Sequence, residues 1–142
     1  AIADAIRVSP SLTSIDLSRN NLRDEGAKAL APALRDSTSL TVADLRFNNL
    51  DTESATALAA VAKEKQISLC GIKPEQTEAN LQGEPGKRMG SADAILLTAD
   101  LVVRASLTSV NLSGNNIGGY YDDMMNFHPI LEGPKAIAEA IR

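Results

Sequence analysis

Apolar and polar positions alternate through Leu12, Ile15 and Leu17, and the alternation stops at Asn20, which reads as a short strand followed by a tight bend. The same twelve-residue block returns twice. Ser11-Leu-Thr-Ser-Ile-Asp-Leu-Ser-Arg-Asn-Asn-Leu22 is followed by Ser39-Leu-Thr-Val-Ala-Asp-Leu-Arg-Phe-Asn-Asn-Leu50 and by Ser106-Leu-Thr-Ser-Val-Asn-Leu-Ser-Gly-Asn-Asn-Ile117. After each block the period lengthens to that of an amphipathic, alanine-rich helix. Helices are predicted over Asp24–Asp36, Thr52–Lys65, Ser91–Arg104 and Pro134–Arg142, with Asp24, Thr52 and Ser91 as N-caps and Pro134 in a first turn.

The first two blocks start 28 residues apart, and the 67 residues between Ser39 and Ser106 hold one regular repeat and one enlarged one. The count places a third strand at Ile67-Ser-Leu-Cys-Gly-Ile72, which lacks the Asn at its bend. The chain is therefore read as a single domain, residues 1–142, with a partial repeat helix at 1–10 and repeats at 11–38, 39–66, 67–105 and 106–142.

A pattern of Leu-x-x-Ile/Val/Ala-x-Leu-x-x-Asn-x-Leu/Ile followed by a helix, at this period, resembles the leucine-rich repeats of the ribonuclease-inhibitor-like class, which includes ribonuclease inhibitor, NOD-like receptors and the Ran GTPase-activating protein. The resemblance implies an α/β solenoid arc, with parallel strands on the concave face and helices on the convex face. It also implies a ladder of Asn20, Asn48 and Asn115, whose amides satisfy backbone groups at the bends. Side chains facing outward along the strands are then Ser14, Asp16, Ser18 and Arg19; Val42, Asp44, Arg46 and Phe47; Ser68 and Cys70; and Ser109, Asn111 and Ser113. Among these, Asp16, Arg19, Asp44, Arg46 and Phe47 are the candidate contacts for a protein partner.

Two enlarged strand-to-helix loops interrupt the regular count, about residues 73–90 and 118–133, and both are expected to join the concave face in binding a protein partner. The second gathers Tyr120, Tyr121, Phe127, Met124 and Met125, in a chain with only two Tyr, two Phe and three Met. A small β-hairpin around Asp122-Asp-Met-Met125 is predicted. Its aromatics either cover the edge of the sheet or meet a partner, and both roles coexist if Tyr120 and Phe127 anchor while Tyr121, Met124 and Met125 point outward.

Composition narrows the function. The chain has 142 residues, 44% hydrophobic, 23% charged and 3% aromatic with no Trp, so its core is built from thin layers of Leu, Ile, Val and Ala. A formal charge of −4 disfavours nucleic acid and anionic membranes as partners. One cysteine excludes an internal disulfide, no stretch approaches the length of a membrane span, and no signal peptide is read, which points to the cytoplasm.

Catalytic constellations are thin. Cys70 and His128 are the one thiol–imidazole couple, Asp122 and Asp123 with His128 lack a further metal ligand, and Gly83-Glu-Pro-Gly86 lacks a phosphate-loop pattern. No enzyme activity, metal or cofactor is expected. A GTPase activator using Arg23 or Arg88 is the alternative from another class, by fold analogy. A scaffold or self-associating array unit is the alternative within the same chemistry. Ala1-Ile-Ala-Asp-Ala-Ile-Arg7 matches Ala136-Ile-Ala-Glu-Ala-Ile-Arg142 at six of seven positions, so uncapped apolar edges and head-to-tail self-association are expected.

Overall fold

The computed structural model describes residues 1–141. Helix α1 (Ile2–Val8) leads into strand β1 (Ser14–Asp16), helix α2 (Arg23–Asp36), strand β2 (Val42–Asp44) and helix α3 (Thr52–Lys65). Then come β3 (Glu78–Asn80), α4 (Ser91–Val103), β4 (Ser109–Asn111), the pair β5 (Gly119–Tyr121) and β6 (Phe127–Pro129), and α5 (Glu132–Ala140). Consecutive helices pack on one another from α1 to α5. Buried alanines at Ala27, Ala33, Ala55, Ala59, Ala62, Ala94 and Ala99 thin the faces between α2, α3 and α4 and let their axes approach.

β1 and β2 pair in parallel with Ser14 opposite Val42, and β3 and β4 pair in parallel with Glu78 opposite Ser109. The bend after each strand needs left-handed backbone. Arg19 (φ 60°), Phe47 (φ 62°) and Gly114 (φ 74°) occupy the same place in their repeats. At the Gly114 bend the neighbouring chain comes very near, since a Cβ on Gly83 would lie 2.3 Å from the Gly114 carbonyl oxygen.

The asparagine amides knit the bends. Asn48 is buried, donates Nδ2 to the carbonyls of Leu17 and Leu45, and accepts at Oδ1 from the N–H groups of Asn20 and Leu22. Asn115 repeats the arrangement, donating to Leu81 and Leu112 and accepting from the Met89 N–H. The Asn20 side chain donates Nδ2 to the carbonyls of Leu17 and Ser18 and, among the described residues, accepts no bond at Oδ1.

The third repeat departs from the counted register. Residues 67–70 do follow β2 in parallel, with Ser68 bridged to Val42 and the N–H groups of Ala43 and Leu45 donated to Ser68 O and Leu69 O. A second strand, β3, then lies inside what the sequence count treats as the loop 73–90. The strand sheet is thus divided in two, since no backbone bond among the described residues joins 67–72 to 78–82. Ser68 and Cys70, expected to face outward, are buried. Their segment is clamped from α4: the Asp100 carboxylate accepts from Ser68 Oγ and from the N–H groups of Leu69 and Cys70. Arg104 donates to the carbonyls of Ile72 and Thr41.

Helix starts also differ from expectation. Asp24, Thr52 and Ser91 sit inside their helices, because the capping side chain must precede the first helical residue. Asp51 caps α3 by accepting from the Ser54 N–H at 2.7 Å, and Asp93 reaches back to the Gly90 N–H at the start of α4. Asp24 instead ties repeats together, accepting from the Asp51 N–H.

Candidate interaction surface

The outward side of β1 and β2 carries the charged cluster that the strand pattern puts on one face. Arg46 and Asp44 form a two-pronged pair, with Nε donating to Oδ1 at 2.9 Å and Nη2 to Oδ2 at 2.6 Å. That bonding holds the Arg46 guanidinium above its ordinary pKa. Asp44 is buried rather than exposed, and so is Val42. After Ser68 the chain turns against this face at Gly71, where a Cβ would meet Asp44 Oδ2 at 2.9 Å. Asp16 stays exposed, and its carboxylate is held below the usual range by the hydroxyl and N–H of Ser18.

Phe47 is the hinge of the surface. Its N–H donates to Asp93 Oδ1, a carboxyl that burial pushes above its ordinary range. The guanidinium carbons of Arg19 and Arg46 lie 5.3 and 5.7 Å from the Phe47 ring centre, within cation–π range. On one side Phe47 borders a hollow of about 270 Å³ with Arg19, Arg46, Asn80, Gln82 and Lys87. On the other it borders a cleft of about 750 Å³ that reaches Arg88, Pro129 and Ile130 at the foot of the hairpin. The structure thereby joins the strand face to the second loop through a single ring.

The hairpin is β5–β6, with Tyr120 opposite His128 and Tyr121 opposite Phe127. Its turn is organised by Asp122, which accepts from the N–H groups of Met124 and Asn126 and from Asn126 Nδ2, and lies 2.8 Å from His128 Nε2. The His128 contact, followed by the turn N–H groups, keeps the Asp122 carboxyl below its usual range. Tyr120 stacks on His128 at 5.0 Å, and Tyr121 tilts against Phe127 at 5.2 Å. Tyr120 and Phe127, expected as anchors, are about half exposed because they pack on cross-strand neighbours instead of the body. Tyr121, Met124 and Met125 are exposed further still.

Cys70 and His128, the thiol–imidazole couple read from the sequence, lie in different surroundings. Cys70 is buried beside Asp100, its thiol pushed well up by burial, whereas His128 is exposed and bonded to Asp122. Among the described residues no group of three or more His, Cys, Asp or Glu is placed to hold a metal ion, and no helix is long and apolar enough to cross a membrane. Arg23 bonds Asn21 through Nε, and Arg88 lines the cleft beside Phe47.

Glu78, Asn80, Gln82 and Lys87 complete the surface; the residue count puts them in the loop 73–90 and misses the strand that carries them. A signal was present: Thr77-Glu-Ala-Asn-Leu-Gln-Gly83 agrees with Thr108-Ser-Val-Asn-Leu-Ser-Gly114 at four of seven positions.

Short parallel strands alternating with helices, and asparagine-bonded bends, define an α/β repeat fold. A family model described as a leucine-rich repeat matches residues 8–31, 36–59 and 105–119, so these segments are similar to leucine-rich repeats. The longest span it leaves unmatched, 60–104, contains the doubled strand of the third repeat. No curated protein matches the chain. Leucine-rich repeats generally mediate protein–protein interaction, through the extended surface that stacked units create.

Proposed function

We propose that the chain is a protein-binding module of the ribonuclease-inhibitor-like class, intracellular and without catalytic activity. Its partner lies along the concave strand face and against the β5–β6 hairpin. The observation that carries this reading is the hairpin itself. Tyr120, Tyr121, Met124, Met125 and Phe127 are each 50% exposed or more, yet they stand on a turn fixed by several bonds to one carboxylate. A rigid arm of large apolar side chains loses little conformational entropy on docking, which is what a recognition element requires. Arg19, with no carboxylate within salt-bridge distance among the described residues, supplies a cation beside Phe47 for an acidic or aromatic group of the partner.

The test is capture from source-cell lysate, followed by calorimetric titration of the captured protein with the wild-type chain, Arg19→Glu and Tyr121→Ala. Arg46 is avoided, since its removal leaves buried Asp44 without its partner. Each substitution should weaken binding at least tenfold. Equal affinity of all three chains refutes the surface.

A further inference from the structure

The break in the strand sheet leaves its mark on the outward face. Where a third strand would run on beside Arg46 and Phe47, the chain turns at Gly71, and β3 pairs with β4 instead. The hollow of about 270 Å³ lies across this break. Arg19, Arg46 and Phe47 wall it from the β1–β2 side, and Asn80, Gln82 and Lys87 from the other.

The charges around the hollow are unevenly satisfied. Three cations, Arg19, Arg46 and Lys87, meet two carboxylates, Asp16 and Asp44. Asp44 is buried and taken by both prongs of Arg46, and Asp16 accepts the hydroxyl and N–H of Ser18. Arg19 and Lys87 have no carboxylate within salt-bridge distance among the described residues. The Phe47 ring, within cation–π range of Arg19, limits where that guanidinium goes. Asn80 Oδ1 accepts from the Gln82 N–H and from Asn111 Nδ2, which leaves Asn80 Nδ2 as the donor at this wall. The surplus is local, since the chain as a whole carries −4.

We propose that this hollow is a subsite for one carboxylate, that of a Glu or Asp side chain in an extended acidic segment of the partner. The proposal rests on the strand face being the partner surface, and it names what the partner brings there. The lining charges leave a single positive excess, which one carboxylate cancels. Arg19 and Lys87 supply the charge, and the Asn80 and Gln82 amides donate to the lone pairs that remain. A doubly charged group would meet exposed Asp16 without a second free cation to offset it. Phe47 borders the larger cleft as well, so the ligand chain has a path onward, which suits a side chain in mid-segment rather than a chain end.

The test is titration of the isotope-labelled full chain, followed by NMR, with a short peptide blocked at both ends and carrying two adjacent glutamates between glycines and serines. The side-chain amide signals of Asn80 and Gln82 and the backbone signals of Arg19 and Lys87 should move. A glutamine version of the peptide should leave them in place. Lys87→Ala, at an exposed turn, should weaken peptide binding about fivefold, Lys87→Arg should restore it, and added salt should weaken it. Equal response to the two peptides, shifts confined to other residues, or unchanged affinity of Lys87→Ala overturns the proposal. So does a response to the glutamine peptide once its C-terminus is left free, which would assign the hollow to a chain end. With the captured partner, wild-type affinity of Lys87→Ala beside weakened Arg19→Glu and Tyr121→Ala overturns the carboxylate subsite and leaves the surface standing.

Discussion

Replacing Asp100 by Asn separates two opposed effects of one buried carboxyl. Burial raises its pKa to about 6 from 3.8, the largest cause being lost hydration, opposed by Ser68, by the N–H groups of Leu69 and Cys70, and by Arg104. The folded chain therefore holds a proton that the unfolded chain has released between these values. Stability from the protonated group is fully present below pH 3.8 and is lost as pH rises through 6. A shift of about two units corresponds to about 3 kcal/mol. Asparagine presents the same shape, accepts from the Leu69 N–H and does not titrate. The advantage of wild type over Asp100→Asn should thus shrink by about 2–3 kcal/mol between pH 4 and pH 7.5, read from urea unfolding of both proteins at each pH. Because other carboxyls are shared by the two chains, their titration cancels in the difference. A gap that stays constant, or widens with pH, would mean that the surrounding donors outweigh desolvation and would refute the reasoning.

Two further outcomes follow from the bends and the hairpin. Asn48→Ala removes five bonds at a buried site and should cost about 3 kcal/mol, whereas Asn20→Ala, at an exposed site, should cost under about 1 kcal/mol. Equal midpoints in denaturant for the two variants would contradict that ranking. Gly119→Ala places a Cβ 2.3 Å from the His128 carbonyl at φ 151°, so the cross-strand nuclear Overhauser contacts between Tyr121 and Phe127 should disappear while those of α2 and α3 persist.

The regular repeats were legible because their information is local. Leu12, Ile15, Leu17 and Asn20 define strand and bend within one block, and the matching block 28 residues later repeats each contact. The hairpin was legible for the same reason, since aromatic pairs flank a four-residue bend. What the sequence concealed depends on distant partners. Ile67–Ile72 falls where a 28-residue count lands and has suitable apolar spacing, but Asp100 and Arg104, some 30 residues on, decide that its polar groups turn inward. Asp44 likewise reads as an exposed strand residue until Gly71 folds against it. The orientation of Tyr120 and Phe127 was hidden because each chooses a cross-strand neighbour over the body.

The division of the strand sheet at the third repeat changes how the molecule can come apart. In a stacked-repeat protein each unit is coupled to the next, and the coupling strength decides how far an opening spreads. Elsewhere the coupling includes main-chain bonds that survive any side-chain substitution. Across residues 67–82 it rests on α3–α4 packing and on the reach of Asp93, Asp100 and Arg104. Side chains therefore set the cooperativity of that junction, and with it whether the N-terminal and C-terminal halves open as separate units or as one.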